Sequence, residues 1–182
     1  MYNTYLQDSS ANKLVFDLDN TLVFTDKLNN EAYNQSLIYF GLSALNDYKR
    51  ITRKVVINTY YHLSSSQIND IIRMKQEYFI KNMHITELNY QLVNILKSYK
   101  NESCILWTSA EEIRVQALLE HHNISDEFCS IIYSDKKNVA DDVDRICELM
   151  SCLPEHLMFF ENDLDVINEI NVLKMICYSI EG

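Results

Sequence analysis

The stretch FDLDNTLVF, residues 16–24, places two aspartates two positions apart at the end of an apolar run. Side chains alternate between the faces of a β-strand, so Asp17 and Asp19 are predicted to point the same way. At the carboxyl edge of an open α/β sheet, they would share the crevice where such sheets bind ligands. Two carboxylates this close repel unless a cation lies beside them, which predicts a divalent metal, Mg²⁺ above all. The simpler alternative is that both acids only cap a turn.

Short apolar runs recur along the chain and alternate with helical patterns. We predict five strands, in KLVFDLD, CILWTS, FCSIIYS, HLMFFEN and KMICYSI. Strands that alternate with helices favour a parallel sheet with crossover helices, that is, a Rossmann-like, doubly wound α/β fold. The chain has only two glycines, which excludes the glycine-rich phosphate loops of P-loop and dinucleotide-binding proteins.

The long interval between the first two strands contains helical patterns and no convincing strand. We predict an inserted all-helical domain at residues 26–85, within an α/β core domain formed by residues 1–25 and 86–182. Its helices are expected at 25–40, 47–63 and 64–83, the last beginning with a capping serine. The insert has eight basic and five acidic residues, a net charge of +3, although the whole chain has a net charge of −10.

Several classes of protein are disfavoured by composition. The negative charge argues against nucleic-acid binding, which needs clustered Lys and Arg. No apolar run reaches the length of a membrane span, and the first residues do not resemble a secretory signal, so we expect a cytoplasmic protein.

The five cysteines lack the spacing of zinc or disulfide frameworks. The chain ends soon after its last predicted strand, which leaves open whether it is the catalytic part of a longer protein, and the sequence indicates no oligomeric state.

An apolar strand followed by DLDNT resembles the first motif of the haloacid dehalogenase-like superfamily, DxDx[TV]. The resemblance covers nearly the whole chain. It implies that Asp17 is a nucleophile and Asp19 a general acid/base, and that Asp17 and Asp19 both contribute to a Mg²⁺ site, Asp19 through its backbone carbonyl. Thr21 would support the loop. Members of the family that dehalogenate lack the second aspartate, so its presence implies phosphoryl transfer.

Two further motifs of the family have counterparts here. CILWTS ends in Thr108 and Ser109, whose hydroxyl and backbone N–H groups would bind a phosphoryl oxygen. The alternative for Thr108 is a helix N-cap. SDKKN supplies Lys136 and Lys137, one of which would stabilise the charge of the transferring phosphoryl group. We prefer Lys137 as the catalytic lysine and assign Lys136 to substrate binding, although one of the two is expected to be a solvated loop residue.

The fourth motif matches less well. LMFFENDLDVINEI resembles the pattern LVFEDSxxGIxAA, which aligns Glu161 with the first acid of the motif. Asn162 then stands where an acid usually binds Mg²⁺, and an amide oxygen brings no charge, so the affinity for the cation should fall. Either Glu161 or Asp163 replaces it in a shifted register, or the site binds metal poorly. The alternative for DLD is that it only starts the next helix.

The helical insert resembles the C1-type cap of this superfamily, which covers the active site and determines the substrate. Its positive balance would attract an anionic substrate, and Arg50 and Arg53 are the residues we assign to that contact. A solvated helix face is the alternative for most of its basic residues.

These features together predict a Mg²⁺-dependent phosphatase that acts through an aspartyl-phosphate, with a small phosphorylated metabolite as substrate. The alternatives are a phosphoprotein phosphatase, a phosphomutase and a noncatalytic binding protein that has lost its metal. The natural substrate depends on the shape of the cap and cannot be named from a motif.

Overall fold

The computed structural model of the protein describes residues 13–181. The prediction that a secretory signal is absent concerns the first residues of the chain, which lie almost entirely outside this range. The strands within these residues are β1 Lys13–Phe16, β2 Val23–Phe24, β3 Glu87–Leu88, β4 Cys104–Thr108, β5 Ser130–Tyr133, β6 Leu157–Glu161 and β7 Ile176–Ser179. The α-helices of the same range are α1 Asp26–Tyr39, α2 Arg53–Thr59, α3 Ser65–Lys81, α4 Tyr90–Ser98, α5 Glu112–His121, α6 Val139–Met150 and α7 Leu164–Val172.

Five strands form one parallel sheet in the order β5-β4-β1-β6-β7, which confirms the predicted fold class. β1 is the central strand, pairing with β4 at Val15 and Ile105 and with β6 at Val15 and Phe159. The chain adds strands outward on one side of β1 and then on the other. The carboxyl ends of β1, β4, β5 and β6 therefore meet at the edge where doubly wound sheets bind ligands.

Both faces of this sheet are apolar, as parallel sheets require because helices cover them. On one face, alternate strand residues form a core with residues of α6 and α7, which includes Val15, Trp107, Phe159, Val143 and Ile170. On the other face, the rings of Phe16 and Phe160 stack with centroids 4.7 Å apart, and Phe160 stacks on Tyr178. The buried pattern explains why the strands are nearly continuous apolar runs in sequence.

The chain divides into two compact units. One contains the five-stranded sheet and comprises the residues up to Val23 and those from Leu88 onward; the other is Phe24–Glu87. The insert predicted from the sequence is residues 26–85. In this second unit α1 packs against α3, around a core that includes Tyr33, Leu37, Val56 and Ile68. Ser64 begins α3 with a capping box, in which its hydroxyl accepts from the N–H of Gln67.

The predicted helix at 47–63 is shorter in the structure, because α2 begins only at Arg53. The Asn30 amide holds the preceding segment in a nonhelical conformation: it donates to the carbonyls of Tyr48 and Lys49 and accepts from the N–H of Ile51. Thr52 then caps the helix. Side chains of α1 therefore determine where α2 starts, and local periodicity cannot predict that.

Among residues 13–181, none of the helices combines the length and the apolar character that a membrane crossing would need.

Candidate active site

The loop after β1 carries the two aspartates of the first motif. The N–H groups of Leu22 and Val23 both donate to the carbonyl of Leu18, which folds the chain back on itself. Asn20 has a φ of +57° within this turn, a left-handed conformation that asparagine tolerates better than most residues. The turn fixes the loop directly after the strand, so that Asp17 is buried and Asp19 is partly accessible.

Asp17 contacts Lys136 and thereby lies close to a second acid. The Nζ atom of Lys136 donates to Oδ1 of Asp17 at 2.7 Å and to Oε2 of Glu161 at 2.6 Å. All three side chains are nearly inaccessible to solvent. The carboxyl ends of β1 and β6 and the loop after β5 thus bring two carboxylates and one ammonium together, although they are far apart in the chain.

The surroundings of Lys136 hold its ammonium group in this position. The Trp107 ring lies beneath it, with its centroid 4.6 Å from Nζ. Asp142 of α6 accepts from the indole N–H of Trp107 and from the hydroxyl of Ser134. That hydroxyl in turn accepts from the N–H of Lys136. Lys136 also has a φ of +55°, a conformation that costs a residue with a side chain about 1–3 kcal/mol and that often occurs at functional sites.

Lys137, our preferred catalytic lysine, lies elsewhere. Its side chain is exposed and pairs with Asp135, two residues before it in the same loop. The left-handed turn at Lys136 is the physical reason, because it directs the two successive side chains differently. Lys136 is thus the lysine that contacts Asp17, which favours it over Lys137, and which of the two is catalytic stays a prediction.

Asp19 is held by an arginine that is not among the site residues predicted from the sequence. Arg114 of α5 donates from Nη1 to Oδ1 of Asp19 at 2.7 Å, and its Nη2 donates to Oδ2. The exposed fractions of the two side chains are 7% and 11%. A sequence signal for Arg114 did exist, because it lies at helical spacing before the buried Leu118, on the face that α5 turns to the core. A charged residue on such a face requires a buried partner.

The second motif ends at the neighbouring strand β4. Thr108 is buried, and its hydroxyl accepts from the N–H of Ala110, whereas Ser109 is exposed. The N-cap position of α5 is Glu111, so Thr108 is not the cap that the alternative interpretation required. Thr108 therefore lies at the correct edge of the sheet, with its hydroxyl bonded within its own turn.

The fourth motif contributes one buried acid, Glu161. Its next two residues, Asn162 and Asp163, have hydrogen-bond partners other than Lys136. Glu161 uses Oε2 for Lys136, and its Oε1 accepts from the N–H groups of Asn162 and Asp163. The Asn162 amide oxygen lies 3.4 Å from the hydroxyl of Thr21 in the first motif. Asp163 is exposed and caps α7 by accepting from two N–H groups, as the alternative interpretation predicted for this segment.

Burial and charge shift the ionisation of these groups in definite directions. Burial raises the pKa of Glu161 to about 7, and the charge of Asp17 adds to this, against the lowering effect of Lys136. Burial lowers the pKa of Lys136, but the carboxylates of Asp17 and Glu161 raise it more, so its amine stays protonated. The pKa of Arg114 is raised in the same way, because Asp19 outweighs burial.

The available oxygen atoms are of the chemical class that Mg²⁺ prefers. Asp17 accepts from Lys136 on Oδ1 alone, and the amide oxygen of Asn162, which accepts only a long hydrogen bond from Thr21 at 3.4 Å, lies near the first motif, so both side chains fit such a site. The oxygens of Glu161 and one oxygen of Asp163 already accept hydrogen bonds. In the described part of the chain, no group of three or more His, Cys, Asp and Glu side chains has metal-binding geometry.

Arg50 and Arg53 belong to the helical unit and make contacts within it. Arg50 pairs with Asp26 at the start of α1, and Arg53 donates to the amide oxygen of Asn69. Their contact with a substrate stays a prediction.

Several solved structures share this architecture. A predicted phosphoglycolate phosphatase from Haemophilus somnus has a TM-score of 0.78 and 16% identity, over 92% of this chain and 84% of that one. A mutant of CbbY from Rhodobacter sphaeroides, in complex with xylulose 1,5-bisphosphate, has a TM-score of 0.73 and 18% identity, over 93% and 85%. A haloacid dehalogenase-like hydrolase from Streptococcus pneumoniae has a TM-score of 0.72 and 16% identity, over 93% and 84%.

No curated protein matches this chain in sequence. The family model of haloacid dehalogenase-like hydrolases, in contrast, matches residues 14–165, which include the first three motifs and the acidic part of the fourth. The resemblance deduced from DLDNT is confirmed, and the protein belongs to the haloacid dehalogenase-like hydrolase family.

Proposed function

We propose that the protein is a phosphatase that hydrolyses a phosphate monoester through a covalent intermediate on Asp17. The observation that carries the proposal is the contact of Asp17 with the buried ammonium of Lys136, at the ligand-binding edge of the sheet. A carboxylate held beside a fixed cation is suited to attack phosphorus, because the cation stabilises the negative charge that gathers between the nucleophile and the phosphoryl oxygens.

The proposed reaction has two steps. In the first, a carboxylate oxygen of Asp17 attacks phosphorus in line, the aspartyl-phosphate bond forms, and the bond from phosphorus to the ester oxygen breaks. Asp19 gives its proton to that departing oxygen when the leaving group needs one. In the second step, Asp19 takes a proton from water, whose oxygen attacks phosphorus and releases orthophosphate and the free carboxylate of Asp17.

Other residues of the site bind and orient the phosphoryl group. Lys136 holds the carboxylate of Asp17 and faces the charge that develops on it, while Thr108 and the N–H groups after β4 would contact phosphoryl oxygens. Mg²⁺ would be held by Asp17, Asn162 and the backbone carbonyl of Asp19, and when bound it would supply positive charge to the phosphoryl oxygens. Because Asn162 is neutral, we expect weaker binding of the ion than an acid would give.

A small phosphorylated metabolite is the substrate class that we favour. The support is the crystal structure of CbbY with a sugar bisphosphate, a protein of similar fold, together with the positive balance of Phe24–Glu87. Arg50 and Arg53 are our candidates for recognition of its charge.

The test is release of orthophosphate from p-nitrophenyl phosphate and from a panel of sugar phosphates, with and without Mg²⁺. We expect turnover by the wild-type protein and none by Asp17→Asn, which keeps the shape of the side chain but not its nucleophilicity. Undiminished turnover by Asp17→Asn would refute the assignment of the nucleophile. A phosphotyrosine peptide in the same panel distinguishes a phosphoprotein phosphatase.

A further inference from the structure

The second cation of the site, Arg114, has no role in the reaction described so far. It lies in the first turn of α5, and both of its terminal nitrogens donate to the carboxylate of Asp19. Two parallel hydrogen bonds from one guanidinium group fix the plane of a carboxylate as well as its distance from the arginine. We call this pair of hydrogen bonds the fork. Arg114 thus determines where both oxygens of Asp19 lie.

Packing alone does not explain an arginine at this position. Its neighbours on the buried face of α5 are Val115, Leu118 and Leu119, and an apolar side chain would continue that face. Buried ion pairs are costly to desolvate, and their replacement by apolar residues is often neutral or stabilising. An ion pair that is kept at the edge of a reaction site is therefore better explained by what it does to Asp19 than by its contribution to the free energy of folding.

The arrangement also indicates how Arg114 would act. Both terminal nitrogens of Arg114 donate to Asp19, whereas the hydrogen bond to Asp17 comes from Lys136, and the charge of Asp17 acts on Arg114 only at longer range. Arg114 and Lys136 come from different elements, α5 and the loop after β5. We therefore expect a substitution of Arg114 to impair proton transfer by Asp19 and to leave the attack by Asp17 intact.

We propose that Arg114 is a positioning residue that aims the carboxylate of Asp19 at the water molecule of the second step. This inference rests on the proposed function, because it needs an intermediate on Asp17 that water hydrolyses. Asp19, held by the fork, accepts the proton of that water while the oxygen forms its bond to phosphorus. Without the fork, the carboxylate can rotate, and the phosphorylated enzyme persists longer.

The test uses p-nitrophenyl phosphate, whose leaving group departs without needing a proton. With this substrate the first step is independent of Asp19 and only the second step requires it. We expect Arg114→Met to lower kcat by about 10²-fold, the lower end of what a positioned base contributes. KM should fall in parallel, so that kcat/KM is nearly unchanged, and a burst of p-nitrophenol should precede the slow steady state.

Further variants complete the experiment. Arg114→Lys keeps a cation that can donate to one oxygen, so it should restore part of kcat and shrink the burst; if Arg114→Met does not fold, Arg114→Lys is compared with wild type in the same assay. Arg145→Met removes an exposed arginine of α6 and should behave as wild type. In an Asp19→Asn background, loss of Arg114 should lower kcat no further, because the residue acts through Asp19.

The outcomes separate the two proposals. If wild-type turnover does not depend on Asp17, the proposed function is wrong. If wild type turns over through Asp17 but Arg114→Met lowers kcat and kcat/KM together without a burst, or leaves both unchanged, then Arg114 does not position Asp19 and only this inference fails.

Discussion

The Nζ atom of Lys136 lies 2.7 Å from Oδ1 of Asp17, although the two residues are 119 positions apart in the chain. Substitution of Lys136 by Met should therefore lower kcat by about 10²–10³-fold, the usual effect of removing one group that stabilises charge in a transition state. Lys137→Met is the matched control, since it removes the neighbouring but exposed amine, and it should change kcat by less than about twofold. Phosphate release under saturating substrate measures both. The assignment is wrong if the two variants exchange these effects.

The amide of Asn162 gives a prediction about the metal. Asn162→Asp adds one negative charge beside the proposed site, and even in water two unit charges 4 Å apart interact by about 1 kcal/mol. We expect the Kd for Mg²⁺, measured by isothermal titration calorimetry, to fall by about tenfold or more. Asn168→Asp makes the same change on the exposed side of α7 and should leave the Kd unaltered. Equal Kd values for wild type and Asn162→Asp would show that residue 162 does not bind the ion.

Arg50 and Arg53 test recognition by the helical unit. Reversal of both charges to Glu should raise KM for sugar phosphates several-fold and leave kcat nearly unchanged, because a remote charge that attracts an anion contributes to binding and to encounter. The effect should shrink at high ionic strength, where screening is strong. Arg73→Glu is the control within the same unit, since Arg73 is exposed on α3. An unchanged KM in the double variant would remove both arginines from substrate recognition.

The capping box of α3 predicts an effect on stability alone. Ser64→Ala removes the hydroxyl that accepts from Gln67 and should lower the free energy of unfolding by about 1 kcal/mol. Ser66→Ala changes an exposed serine in the first turn of the helix and should have a much smaller effect. Urea unfolding of the three proteins measures the difference. Equal midpoints for the two variants would mean that the box adds nothing to stability.

The fold could be predicted from the sequence because its main signals are local. Apolar runs of strand length, each ending in polar residues, identified the five strands of the sheet, and DLDNT located its ligand-binding edge. Ser64 was identified as a helix start by the same local chemistry. These features depend on residues a few positions apart, which a sequence displays directly.

The features that were missed depend on residues distant in the chain. A left-handed backbone conformation at Lys136 makes this lysine, and not Lys137, the one that contacts Asp17. The sequence has no glycine or asparagine at that position to indicate such a conformation. Arg114 was overlooked because its partner, Asp19, lies on another element. The start of α2 is determined by Asn30 through contacts across the helical unit. In each case a tertiary contact overrides or completes the local pattern.

Trp107 is the only tryptophan of the protein, and its indole ring lies beneath the ammonium of Lys136. A charge so close to a lone chromophore influences its fluorescence, so the chain carries an intrinsic optical probe at its own reaction site. Orthophosphate or vanadate that draws the ammonium away from the ring should shift the emission spectrum, and occupancy could then be followed in solution without any added label.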